Sequence, residues 1–418
     1  MYFLYTLLYL LALLYFLPKE FFKRPRHLRK RWLKEKFGFI ETIKFEKEAP
    51  ILWIHAVSVG EVLAVVPLIE KLLLQYNIIL TTITDTGREV AEKKLNSKDV
   101  KIFYLPFDIK FCVKNFLKRT KAKALFLTET ELWPNLILTT SSQIPIALIN
   151  GRLSEKSFKR YKGIKFFIKP LLKRFEFLAV QEENYAKYFY QLGVEREKIK
   201  VVGNLKFDIF LKEIEFPELN NLPRPIILAG STHSQEEELI LQAFLNVFSQ
   251  GTLIIVPRHP ERFDKVEKVI SSMIKENAFF IRYTNIKDTF SEFKSQRVIL
   301  LFDKMGKLAS LYRICDFAII GGSFVPHGGQ NPLEALYWKK PVIVGPYMEN
   351  FPFVEEFVKK KGLLQVNPEK LEMILKKLIK NPHIAKEVAE RGYEIFLKKK
   401  GALEKTLELI RKGFFWQI

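Results

Sequence analysis

From residue 51 onward the chain sets out the same alternation twice: a short apolar run, a stretch with apolar residues at helical spacing, then another short run. The first array carries ILWIHAV from Ile51, IILTTIT from Ile78, KIFYLP from Lys101, ALFLTE from Ala124, PIALIN from Pro145, FLAV from Phe177 and KVVG from Lys200. Between them lie segments such as GEVLAVVPLIEKLLL from Gly60, apolar at i, i+3, i+4 and i+7. Strands alternating with helices predict βαβ units and a parallel sheet. After the polar, proline-bearing stretch from Phe216 to Pro225 the pattern restarts with PIILAG, TLIIVP, FFIR, VILLF, FAIIGG and PVIVG. The fold class expected is α/β: two Rossmann-like doubly wound domains facing across a cleft, with ligands bound beyond the carboxyl ends of the strands.

The amino terminus differs. Residues 2–17 run YFLYTLLYLLALLYFL without a charge, sixteen residues, slightly short of the about 20 that cross a bilayer core as a helix. Nothing basic precedes the run and bulky Phe21 and Phe22 follow it, the reverse of a cleaved signal peptide. Then comes a basic collar, from Lys19 through Arg24 and Arg29 to Lys36, interleaved with Phe21, Phe22, Leu28, Trp32 and Phe37. The expectation is a membrane anchor over 1–18 and a basic amphipathic interfacial segment over 19–48. Its apolar side would lie on anionic inner-membrane lipids, with the remaining chain on the cytoplasmic face; a soluble helix packed on the domain is the alternative. The other expected boundaries are a first domain over 49–208, a linker over 209–224, a second domain over 225–395 and a returning carboxyl-terminal helix over 396–418. Phe414-Phe415-Trp416 either packs that helix or adds an interfacial contact. The 68 Lys and Arg against 46 Asp and Glu leave a net charge of +22, which calls for an acidic partner: nucleic acid, anionic lipid or a phosphorylated substrate. Cys112 and Cys315 stand in apolar contexts without a CxxC spacing, so neither a disulfide framework nor a zinc site is expected.

Several segments at strand ends could carry chemistry. In HAVSVGEV, Glu61 falls in the first turn of a helix, where a carboxylate is either a helix-start residue or a general base. LTETELWPNL places Glu129 and Glu131 after a buried strand, on one side if the strand continues, and a pair of glycosidase carboxylates is a rival reading. Lys206 of GNLKFD is a surface lysine or a cation aimed at a phosphate. In the second half, the Gly-Ser-Thr turn with Ser231, the pair Arg258 and His259, and the turn of Gly321, Gly322 and Ser323 leading to a helix near Asn331 form an anion-binding set. Backbone amides there would hold a phosphate while Glu334 accepts from ribose hydroxyls. No P-loop, HExxH, GxSxG or Asp-x-Asp motif occurs, and no nucleic-acid-binding signature accompanies the basic residues.

At these motifs the chain resembles the 3-deoxy-D-manno-octulosonic acid (Kdo) transferases of lipopolysaccharide synthesis. The resemblance covers nearly the whole length: RKRWLKEKFGF from Arg29, HAVSVGE, TETELWPN, NGRLSEKSF from Asn150, GNLKFD, AGSTH, VPRHPERF, GGSFVPHGGQNPLEA and VGPYMENF from Val344. It implies a GT-B fold with an acceptor-binding first domain and a CMP-Kdo-binding second domain. It also implies inverting transfer of Kdo from CMP-Kdo to the lipid A precursor (lipid IVA), without a metal or other cofactor and without a nucleic-acid partner. By matching position, Glu61 is the base, while Glu129 and Lys206 stabilise the transition state. Arg258, His259, Met305, Gly306, Lys307, Asn331, Pro332, Leu333 and Glu334 fall where the family binds CMP. A GT-B enzyme using a UDP-sugar is the alternative.

Overall fold

The computed structural model describes residues 1–41, 43–274, 278–286 and 296–414. The chain divides into two compact units, Met1–Ile209 with Lys399–Ile418, and Phe210–Lys398. The first holds seven parallel strands: β1 (Ile51–His55), β2 (Asn77–Thr82), β3 (Val100–Tyr104), β4 (Ala124–Thr128), β5 (Ile146–Gly151), β6 (Leu178–Val180) and β7 (Ile199–Val201). Their order is β3-β2-β1-β4-β5-β6-β7, so the winding reverses between β1 and β4. These strands read as unbroken apolar runs because helices cover both faces. Alternate residues of β1 feed opposite cores: Leu52 and Ile54 enter one cluster, Trp53 the other. Burial of each such side chain is worth about 1.5–3 kcal/mol.

The second unit repeats the plan with β8 (Ile226–Thr232), β9 (Gly251–Pro257), β10 (Phe279–Arg282), β11 (Arg297–Leu301), β12 (Phe317–Ile320), β13 (Val342–Val344) and β14 (Leu364–Gln365). The order is β10-β11-β9-β8-β12-β13-β14, again all parallel, and the reversal falls between β8 and β12. Thirteen of these fourteen strands coincide with the apolar runs of the sequence. The exception is β14, a two-residue edge too short to show a pattern. Cys112 and Cys315 are buried free thiols.

The apolar amino-terminal run continues past Pro18 as one helix, Tyr2–Lys23, about 33 Å at 1.5 Å per residue. Among the described residues it is the one helix long and apolar enough to cross a membrane. One face of it is tied to the first unit by polar groups. The Tyr2 hydroxyl donates to Phe167 O at 2.9 Å, and the Tyr5 hydroxyl donates to Asp108 Oδ2 at 2.8 Å. The Asp108 amide donates to Tyr9 Oη at 3.2 Å. The opposite face, with Phe3, Leu4, Leu7, Leu8, Leu11, Leu14 and Tyr15, is exposed.

The basic collar behaves differently from the interfacial expectation. Helix Arg26–Lys36 buries Trp32, Glu35 and Lys36 in the first unit. Trp32 is 2% exposed, clustered with Tyr104, Phe107 and Cys112, and the Arg24 guanidinium lies 4.3 Å from its ring centroid. Glu35 receives Arg88 Nη1 at 2.7 Å and the Tyr104 amide at 2.8 Å, all buried. A buried carboxylate needs cationic partners; Arg31 of the same helix reaches Glu35 Oε1 at 2.9 Å, and the buried Arg88, from the domain, commits the helix to it. Phe22, just ahead of it, remains exposed.

At the other end the chain returns to the first unit. Asp208, 4% exposed, accepts from the amides of Gly401 and Leu403, each at 2.7 Å, at the start of helix Ala402–Phe414. Leu403, Leu407 and Ile410 then enter the same core cluster as Leu52. Phe415 and Trp416 lie outside the described residues. Asp208→Ala leaves two helix-start amides without a partner, at a cost of about 2 kcal/mol. We expect a lower thermal midpoint and faster amide hydrogen exchange at Gly401 to Leu403; unchanged exchange there would contradict this capping role.

Candidate active site

The first unit collects its polar residues where the strand order reverses. β1 ends at His55 and, after three intervening residues, the helix Val59–Leu72 begins with Ser58 at its N-cap position. Ser58 to Glu61 has the S-x-x-E spacing of a capping box, but the hydroxyl is used differently. Ser58 Oγ donates to Glu61 Oε1 at 3.1 Å instead of accepting from the helix backbone. Glu61 Oε2 accepts from the Val57 amide at 3.0 Å and from Thr128 Oγ1, at the end of β4, at 2.8 Å. Oε2 is thereby occupied twice, while Oε1 keeps a lone pair. Burial pushes the Glu61 pKa above the ordinary carboxylate value, and the Glu129 charge adds to it. The Val57, Thr128 and Ser58 hydrogen bonds pull the other way without reversing the shift.

β4 stops at Thr128, and Glu129 turns into the left-handed region with φ 53°. The strand therefore does not continue, and the two glutamates of TETELWPN take different partners. Glu129 Oε1 accepts from Lys206 Nζ at 3.5 Å, whereas Glu131 Oε2 accepts from Trp133 Nε1 at 2.8 Å. Burial raises the Glu131 pKa to about 7; the Trp133 bond opposes this and the charges of Glu61 and Glu129 reinforce it. Lys206 is set by a relay of amides. The Asn204 side chain accepts from the Lys206 amide at 2.9 Å and donates to Gln181 Oε1 at 3.1 Å. Gln181 in turn donates to Asn150 O at 2.9 Å, and Asn150 Oδ1 accepts from the Leu205 amide at 3.0 Å. The ammonium ends 4.0 Å from where a Cβ on Gly60 would sit. Glu61, Glu129 and Lys206, singled out from three distant stretches, thus share one sheet edge. Thr128, which ties Glu61 to β4, had no signal of its own in the sequence.

In the second unit the predicted donor residues also lie at neighbouring strand ends. Met305 to Lys307 follow β11, Arg258 and His259 follow β9, Ser231 stands near the end of β8, and Asn331 to Glu334 come after β12. Arg258, His259, Met305 and Gly306 are exposed. Asn331 Oδ1 accepts from the Leu333 amide at 3.1 Å, and Ser231 takes φ 58°.

One expectation needs correction. The amides of Gly322, Ser323 and Phe324 donate to the Glu236 carboxylate at 2.7, 3.0 and 2.9 Å, and the His233 amide donates to it at 2.9 Å. Glu236 and Ser323 are 0% exposed, and Gly345 N donates to Ser323 Oγ at 2.8 Å. The turn of Gly321, Gly322 and Ser323 is therefore an internal brace, and its amides are not available to a phosphate. Gly321 is there because a Cβ would meet Ser231 O at 2.3 Å. The signal for this lay in the sequence, where Glu236 stands three residues after His233, the spacing at which a glutamate reaches back to a helix-start amide.

Residues 31–209 match the family described as 3-deoxy-D-manno-octulosonic-acid transferase (kdotransferase). A 3-deoxy-D-manno-octulosonic acid transferase of Haemophilus influenzae is 35% identical over 98% of each chain. One from Aquifex aeolicus is 33% identical over 86% of this chain and 94% of its own. Among solved structures, a UDP-GlcNAc 2-epimerase of Neisseria meningitidis aligns with a TM-score of 0.56 over 87% of this chain and all of its own, at 15% identity, a likeness of fold alone. With a relative 35% identical over 98% of both chains, the chain belongs to the 3-deoxy-D-manno-octulosonic acid transferase family.

Proposed function

We propose that this chain transfers Kdo from CMP-Kdo to the lipid A precursor (lipid IVA) with inversion, as a glycosyltransferase of lipopolysaccharide biosynthesis, with Glu61 as its general base. One observation carries the assignment of the base. Glu61 is a carboxylate 9% exposed at the switch point of the sheet, made more basic by burial and left with one lone pair uncommitted. In this reading Oε1 takes the proton of the acceptor hydroxyl as its oxygen attacks the anomeric carbon. The bond from that carbon to the phosphate oxygen breaks, and CMP leaves with the electron pair. Lys206 and Glu129 stabilise the charge that develops in the transition state.

The residues Arg258, His259, Met305, Gly306, Lys307 and Asn331 to Glu334 hold the donor, and the cationic side chains among them offset the leaving phosphate without a metal. The membrane supplies the acceptor. The exposed face of helix Tyr2–Lys23, with basic Lys19, Lys23, Arg26 and Lys30 next to it, suits the cytoplasmic leaflet of the inner membrane and its anionic lipids. The polar ties of Tyr2, Tyr5 and Tyr9 to the first unit support a helix that remains against the domain with its outer face in lipid.

Glu61→Gln is expected to lower turnover by about 10²–10⁴-fold while CMP binding, read by titration calorimetry, is unchanged. Binding of UDP in place of CMP would remove the donor assignment. Because the base must be ionised, wild-type kcat/KM is expected to fall as pH drops through an apparent pKa above the ordinary glutamate range, and Glu61→Gln to lack that acid limb. Turnover is expected to survive EDTA; loss restored by a divalent cation would contradict the metal-free mechanism. The combined change Leu4→Glu, Leu8→Glu and Leu11→Glu is expected to release the protein from sedimenting membranes without lowering its melting temperature in detergent.

A further inference from the structure

The brace formed by Glu236 leaves a question of chemistry in the second unit, because the amides that commonly cradle a phosphate at such a strand end are already taken. Imidazoles stand at the same edge. Three of the six histidines of the chain converge there from different loops: His233 after β8, His259 after β9 and His327 after β12. The rings of His233 and His327 stack with centroids 4.5 Å apart at 30°, and His259 meets His233 edge-on at 5.8 Å and 89°. His327 and His259 are exposed, and the His233 side chain is 12% exposed.

The hydrogen bonding orients the inner ring. His233 Nδ1 lies 3.2 Å from Ser231 O, and a carbonyl only accepts, so Nδ1 carries the proton and Nε2 holds the lone pair. The charged neighbours do not supply a counter-ion that would keep the ring protonated. Glu236 Oε2 is 4.0 Å from Nδ1, but it already accepts from two amides and the carboxylate as a whole from four. Arg262 is bound to Glu237 at 2.7 and 3.0 Å, and Glu261 is 3.8 Å from His259, not His233. Burial, then the His327 ring, lowers the His233 pKa to about 4, with His259 and Arg262 acting in the same direction. Without a ligand the inner ring is neutral at pH 7.

Building on the donor assignment above, we propose that the stacked His233–His327 pair, with His259 at its edge, seats the phosphate of the nucleotide and takes up a proton as that phosphate binds. An anion at the edge of the stack favours the imidazolium form and turns Nε2 from acceptor into donor. The His327 ring stacked on it at 4.5 Å presents its π face to that single charge. The proton comes from solvent, and no covalent bond is made or broken. The site is built from side chains on three loops, and it would hold a phosphate monoester without backbone amides.

The test is titration calorimetry of the full chain in detergent at pH 7 with CMP, cytidine and free Kdo, in two buffers of different ionisation enthalpy. CMP binding to the wild type is expected to take up protons, seen as a buffer-dependent enthalpy. His233→Gln and His327→Gln are each expected to weaken CMP by about tenfold or more and to reduce the uptake, with cytidine affinity unchanged. The His327 variant alters an exposed side chain, so its folding is not in question. Equal CMP affinity in wild type and variants overturns the inference alone, as does a loss shared by cytidine or confined to Kdo. Failure of CMP to bind the wild type overturns the donor assignment, and this inference with it.

Discussion

Where each parallel sheet reverses its winding, two adjacent strand ends part and expose polar groups that no ladder hydrogen bond satisfies. In both units a glutamate from the helix that follows the leading strand fills that gap. Glu61 reaches from the helix after β1 to Thr128 at the end of β4, and Glu236 reaches from the helix after β8 to the turn that follows β12. The two differ in how many donors they meet. Both oxygens of Glu236 accept two backbone amides each, so its charge is fully spent in holding the turn. Glu61 Oε1 accepts one hydroxyl and keeps a lone pair. One location in a repeated architecture thus yields a structural brace in one unit and a carboxylate with spare basicity in the other.

The groups around Glu61 complete a local electrostatic balance. Burial and the Glu129 charge raise its pKa, and hydrogen bonds moderate the rise. Glu129 is itself compensated by Lys206, whose turn is held by the side chains of Asn150, Gln181 and Asn204. Asp208, two residues beyond Lys206, fastens the returning helix Ala402–Phe414. The short motif GNLKFD therefore does two jobs: its asparagine fixes the turn that brings Lys206 to Glu129, and its aspartate closes the unit.

Much of this was legible beforehand. Thirteen strands announce themselves as apolar runs because buried parallel strands have no solvent face to interrupt them. Glu61, Glu129 and Lys206 stand out because charged residues directly after such runs are rarely demanded by packing. Other features could not be read. Trp32 and Glu35 sit in a stretch that looks like a lipid-facing collar, yet Arg88, more than fifty positions later, draws them into the domain. The Gly321-Gly322 turn looks like a phosphate cradle, yet its amides are spoken for by a glutamate 86 positions away.

The one-dimensional order of residues determined the two-fold βαβ plan, the strand positions and which acids could be chemical, because hydrophobic period and strand ends are local properties of a chain. Only tertiary structure decided which of those polar groups still have something to give. Whether a carboxylate or an amide is free depends on the donors and acceptors that long-range packing delivers to it, and hydrogen-bonding capacity, once filled from a distant segment, leaves no trace in the neighbouring sequence.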